Sequence, residues 1–142
     1  MAIPFEKAHK CRTYLLIEGT DEPYGPIILG FVSIALKTTF INSSISKSLR
    51  RKLDGIFLSE SVPCYLIGQL AKNDLSASRI EGSELLRIAE AFVSRAHETV
   101  GGRFIRVDCE DKPKVIGFYS VNGYKELQMD ASTGLRQMVK FL

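Results

Sequence analysis

The chain has 142 residues, 45% hydrophobic and 25% charged, long enough for one domain with a real core and too apolar for a disordered segment. Nineteen basic against sixteen acidic residues give a formal charge of +3, too small to signal nucleic-acid binding by itself. Three cysteines, Cys11, Cys64 and Cys109, lie far apart with no Cys-x-x-Cys pair, which argues against a disulfide framework or zinc site and for buried, reduced thiols.

Residues 1–11 carry weak structural signals. Residues 13–18, TYLLIE, read as a strand. Residues 19–26, GTDEPYGP, are dense in turn formers and read as a hairpin loop. Residues 27–36, IILGFVSIAL, form a second strand, with Gly30 marking a bulge or a close approach, and 37–41 extend it or begin another. A short helix fits 46–53, which holds the cluster Arg50, Arg51, Lys52. Residues 62–71 are a strand whose apolar positions do not alternate, as expected where both faces are covered.

The segment 82–99 is the clearest helix. Leu85, Leu86, Ala89, Phe92, Val93 and Ala96 recur at three- and four-residue steps. Ser83 fits a cap or the first turn, Glu84 suits the positive end of the dipole, and Gly101-Gly102 stops the helix. His97 sits near the helix C-terminus, where the dipole favours a cation. Residues 103–108 are a strand, and 112–121 a short helix with Pro113 in its first turn. Asn122-Gly123 turns the chain into a strand at 124–127, and 135–142 is the last strand.

This order predicts a single α+β domain over 1–142, an α/β three-layer arrangement. It has a twisted mixed sheet, partly antiparallel, with helices on both faces. The unit 62–108 should be a right-handed parallel crossover. No leader and no run of ~20 apolar residues is found, so the sequence predicts a cytoplasmic protein that does not enter a membrane.

The stretch VPCYLIGQLAKNDLSASRIEGSELL runs strand, polar loop, helix, a geometry whose free N–H groups at the helix start can hold an anion. Taken bare, it is also an ordinary surface loop, and FYSVNGYKEL is also ordinary core packing. A phenol at a helix end can instead donate a proton to a leaving thiolate.

The pieces VPCYLIGQLAKNDL, GSELL, FYSVNGYKEL and LRQMVKFL, with SLRRKL, together resemble the GNAT superfamily of acyl-CoA-dependent N-acetyltransferases, and within it the small acetyltransferases of toxin–antitoxin modules. The likeness runs from Thr13 onward and is tightest over 62–127. It implies a GNAT-like fold, acetyl-CoA as acyl donor and a primary amine acceptor, with the amino acid of charged tRNA among the candidates. It also brings an antitoxin or a second copy of the chain into view as partners.

The family's phosphate motif, Q/R-x-x-G-x-G/A, falls on Ala77, Ser78, Arg79, Ile80, Glu81 and Gly82, where only the last glycine is kept. The resemblance places the cofactor on Ser78, Arg79, Ile80, Glu81, Gly82 and Ser83. The pantetheine arm pairs along the main chain of Leu70, Ala71 and Lys72, with the oxyanion against an N–H near Leu70 or Ala71. Tyr119 becomes the acid that protonates the CoA thiolate. No residue stands out as the base; Glu60 and an ordered water are the candidates. Lys112 and Val115 replace an Asn and an Ala usual in the family. A GNAT-fold binding or regulatory protein without catalysis is the alternative.

Overall fold

The computed structural model describes residues 2–19, 23 and 25–142. The hairpin expected over 19–26 joins paired strands, but residues 20–22 and 24 of its loop lie outside the described residues. In chain order the elements are α1 (Ala2–Lys7), β1 (Arg12–Glu18), β2 (Ile27–Phe40), α2 (Lys47–Asp54), β3 (Ser61–Lys72), a 3₁₀ turn (Asp74–Arg79), α3 (Gly82–Val100), β4 (Phe104–Cys109), α4 (Pro113–Val121), β5 (Lys125–Met129) and β6 (Arg136–Phe141). The strands form one six-stranded mixed sheet in the order β1-β2-β3-β4-β6-β5. No helix among the described residues is long and apolar enough to cross a membrane.

Near the N-terminus two features depart from the sequence reading. Residues 2–7 form a helix, fixed to β1 where Glu6 accepts from the N–H of Thr13 at 2.6 Å and pairs with Arg12 at 3.1 Å. Polar spacing hid this helix, because its anchor is a carboxylate rather than an apolar stripe. All three cysteines are free, but Cys11 is only half-buried while Cys64 and Cys109 are buried.

The chain packs as two compact units, one built from residues up to Ala35 with Ile67–Arg95, the other from Leu36–Leu66 with Ala96–Leu142. In the first unit, β1 and β2 pair antiparallel, and the register slips so that Leu16 faces Gly30 while Ile17 faces Ile28. Leu29 is the extra residue of this bulge. Within the same unit α3 buries Leu85, Leu86, Ala89 and Val93 on the stripe its periodicity announced, and Tyr14 stacks on Phe92 with centroids 3.9 Å apart.

In the second unit, β4 and β5 both pair antiparallel with β6. A core of Ile41, Leu53, Val62, Cys64, Phe104, Leu127 and Val139 is covered in part by Ile45 and Leu49 of the α2 region. Ser46 caps α2 by accepting from the N–H of Leu49. A bulge at Leu127 lets both Leu127 and Gln128 point inward. The Gln128 amide donates to the carbonyl of Phe40 at 2.6 Å and to Gln137 at 2.8 Å, and accepts from the N–H of Asn42 at 2.9 Å.

A second buried polar group lies in the same unit. Arg106 of β4 pairs with Asp108 at 2.9 Å, donates to the Thr39 hydroxyl at 2.9 Å, and reaches the Thr38 carbonyl at 3.3 Å. Thr39 in turn contacts the Cys64 thiol at 3.2 Å. Burial raises the Cys64 thiol above its ordinary value, so it stays protonated and inert.

Candidate functional site

The first unit carries the residues expected to hold a cofactor. Leu70, Ala71 and Lys72 end β3, with Leu70 and Ala71 half-buried and Lys72 exposed. Their course is set by Gly30. A Cβ built there would lie 2.7 Å from the carbonyl oxygen of Ala71 and 3.1 Å from Leu85, so β2 passes β3 at a distance only glycine permits. Gly30→Ala is expected to cost about 1–3 kcal/mol and, on the cofactor reading, to weaken acetyl-CoA binding by displacing the Ala71 backbone. A melt paired with a titration checks both, and unchanged values in both would remove this role for Gly30.

Asn73 then locks the turn. Its N–H donates to the carbonyl of Leu29 and its amide to that of Ile28, both at 2.8 Å, and its side-chain oxygen accepts from the N–H of Leu75. The bulge at Leu29 and the cap on the 3₁₀ turn therefore share one residue. Sequence reading passed over Asn73, although an Asx residue before a helical turn is a recognisable cap signal.

The polar segment expected to be a loop is instead mostly the 3₁₀ turn Asp74–Arg79. Ser78 and Arg79 are exposed on it, and Lys72 donates from Nζ to the carbonyl of Ala77 at 3.2 Å. Ile80 follows in an extended conformation, φ −145° and ψ 137°. Its side chain is only 6% exposed and belongs to the core. The side chain is therefore withdrawn from solvent at this position.

Glu81 is the N-cap of α3: its carbonyl accepts from the N–H groups of Glu84 and Leu85, and its own N–H donates to the Glu84 carboxylate at 2.9 Å. This is half of a capping box, with Gly82 and Ser83 as the first two helical residues. Ser83 is thus a first-turn residue, not the cap. The N–H groups of Gly82 and Ser83 have no partner within the helix by position, and Arg79 and Lys72 add positive charge in the same unit.

The second unit carries Tyr119, in the last turn of α4. Lys112 caps this helix without a side-chain bond, and Pro113 occupies its first position. Asn122 ends it, donating from its amide to the carbonyl of Phe118 at 2.8 Å, and Gly123 turns the chain at φ 90°. The N–H groups of Asn122 and Tyr124 both donate to the carbonyl of Tyr119 at 3.1 Å. Edge contacts with Phe118 at 5.0 Å and Tyr124 at 5.6 Å fix the ring. Among the described residues the Tyr119 hydroxyl has no hydrogen-bond partner. Burial, and secondarily the nearby Cys109, holds the phenol above its ordinary value of 10.

The remaining candidates separate. Glu60 is exposed and contributes its carbonyl to the N–H of Ile41, a main-chain role. Of the basic cluster, Arg50 donates to the carbonyls of Asn42 and Ile41, and Lys52 lies 4.2 Å from the ring centroid of Phe141. Two of the three cations therefore serve the fold, and Arg51 remains exposed on α2.

By sequence, no family model and no curated protein matches the chain. Solved structures do match. A tyrosine-to-phenylalanine variant of KacT superposes with a TM-score of 0.71 at 20% identity, covering 94% of this chain and 74% of that one. AtaT complexed with acetyl-methionyl-tRNAfMet gives 0.72 at 20% identity, again covering 94% and 74%. AtaTR bound with acetyl-CoA gives 0.70 at 18% identity, covering 98% and 74%. Likeness at this level of identity is likeness of fold, and it extends over nearly the whole chain. The six-stranded sheet, with α3 following β3 and preceding β4 in the chain, thus has the GNAT-type fold of these toxin structures.

Proposed function

We propose that the chain is an acetyl-CoA-dependent N-acetyltransferase acting on a primary amine. The observation that carries the reading is the placement of Ile80. The position where the phosphate motif usually has glycine turns its side chain into the core, which leaves backbone beside the first turn of α3. Shared fold with an acetyl-CoA complex supports the same donor here.

On this reading the main chain of Leu70, Ala71 and Lys72 aligns the pantetheine arm as an added strand would. The N–H groups of Gly82 and Ser83, with Arg79 and Lys72, meet the diphosphate. The amine nitrogen bonds to the acetyl carbonyl carbon, the carbon–sulfur bond breaks, and the Tyr119 hydroxyl gives its proton to the departing thiolate. The proton released by the amine passes to solvent, from which the Tyr119 phenolate regains its own. Charged tRNA is the acceptor class we favour, supported by the fold shared with a toxin complexed with acetyl-methionyl-tRNA.

Calorimetric titration with acetyl-CoA tests the donor. Binding is expected, together with a raised melting temperature, since a ligand at a hundredfold its Kd stabilises by about 2.7 kcal/mol. No heat and no thermal shift at millimolar ligand would sink the enzyme reading and leave the fold as a binding scaffold. Offering labelled acetyl-CoA with charged tRNA and, separately, with free amino acids then decides the acceptor. Label on the free amino acids alone would exclude the tRNA.

A further inference from the structure

Two of the chain's own carboxylates hold groups that the cofactor cradle would use. Arg79, which closes the 3₁₀ turn, donates from Nη1 to Oε2 of Glu18 at 2.6 Å. Glu18 is the last residue of β1, 61 positions earlier, so the ion pair ties the edge strand to the turn. Both side chains are about half exposed, at 49% and 54%. Two residues beyond Arg79, the N–H of Glu81 is taken by the Glu84 carboxylate at 2.9 Å.

A guanidinium and an N–H at a helix start are the donors that a phosphate seeks. Lys72 differs, because its ammonium rests on the carbonyl of Ala77. Arg79 is thus the cation over which a carboxylate and a phosphate would compete. We infer that Glu18, with Glu84 in a lesser role, is an internal competitor that holds the cradle's donors and yields them to the CoA diphosphate. The inference rests on the cofactor reading above.

The energetics allow the exchange. An exposed ion pair is worth little, because water screens it and two long side chains must be ordered to make it. A diphosphate brings more charge and several acceptors to the same guanidinium. Where Gly82 is the single glycine between the 3₁₀ turn and α3, close approach of the backbone to a phosphate is restricted, and the affinity then depends more heavily on Arg79. Glu18 would set that affinity without touching the acetyl group.

Acetyl-CoA titrations at fixed ionic strength with the wild type, Glu18→Gln, Arg79→Gln and the double variant test this, with Glu84→Gln alongside. Glu18→Gln is expected to tighten binding by about three- to tenfold, while its unliganded melting temperature stays within about 2 °C. The gain should vanish in the Arg79→Gln background, because the competitor then has nothing to compete for. Glu84→Gln keeps the cap's acceptor and should tighten binding by about twofold or less.

If the wild type binds and Glu18→Gln binds no better, the inference falls while the cofactor reading stands. An equal gain with and without Arg79 would mean bulk charge rather than competition, and would also overturn it. Binding by Glu18→Gln where the wild type shows none would support the competitor while removing the donor reading for the wild-type chain. Absence of binding in every variant would remove the cofactor reading and the competitor with it.

Discussion

Replacing Tyr119 with phenylalanine is expected to lower acetyl transfer by about 10²–10³-fold, the usual worth of a positioned acid. The melting temperature should move by less than about 2 °C, because Phe keeps the edge contacts with Phe118 and Tyr124 and the hydroxyl has no partner among the described residues. The pH dependence gives a second check. An acid works only while it carries its proton, and burial holds this phenol above its ordinary value of 10. Its contribution is therefore complete at neutral pH and is lost only as pH rises through the raised value. Any alkaline fall in rate between about pH 7 and 9 belongs to another group and should persist in the variant. A large drop in melting temperature with transfer unchanged would return Tyr119 to the core.

Arg106→Met is expected to be strongly destabilising. The side chain is 9% exposed, and removing it strands the Asp108 carboxylate and takes a partner from Thr39 and the Thr38 carbonyl. Breaking such a pair by deleting one partner costs about 3 kcal/mol here, the lower end of the usual range, because Asp108 keeps 25% of its side-chain surface in water. For a domain of this size that is a fall of about 10 °C.

The pH sign follows from Asp108. Burial raises its pKa, with Arg106 pulling the other way. A carboxyl with a raised folded value favours folding when protonated, and that contribution is lost as pH rises through the folded value. Without Arg106 the value rises further, so the deficit should widen from about pH 4 toward neutrality. Adding Asp108→Leu should restore much of the loss, since an apolar pair leaves no stranded charge. Melts of the single and double variants across that range decide it, and a deficit independent of pH would show that the charge of Asp108 is not the cause.

Much of this fold is legible in the sequence because α3 and the strands are specified by local apolar pattern. The stripe Leu85, Leu86, Ala89, Val93 is the buried one, and the pauses at Gly101-Gly102 and Asn122-Gly123 fall where backbone φ is positive. Gly30 was also readable as a close approach, although the atom it approaches, the Ala71 carbonyl, was not. What escaped was set by partners far along the chain. Helix α1 depends on a carboxylate received by β1, and the turn before α3 depends on Asn73 reaching back to β2.

Ile80 shows the limit most clearly. The resemblance sets it in a phosphate motif, at a position where the family has glycine. Only the extended backbone that follows the 3₁₀ turn reveals that the side chain enters the core. The cluster Arg50, Arg51, Lys52 misleads in the opposite sense. As text it is one basic patch, but in space its members divide between carbonyl groups, an aromatic ring and water.

Gln128 has one more consequence. The amide proton of Asn42, 86 positions away, is held by a side chain carried on β5 rather than by a neighbouring strand. Exchange of that proton with deuterated solvent therefore reports when β5 lifts, even though residue 42 lies in a different part of the sequence. A local opening at the C-terminal hairpin would be read out near the end of β2, and the two regions should lose protection together.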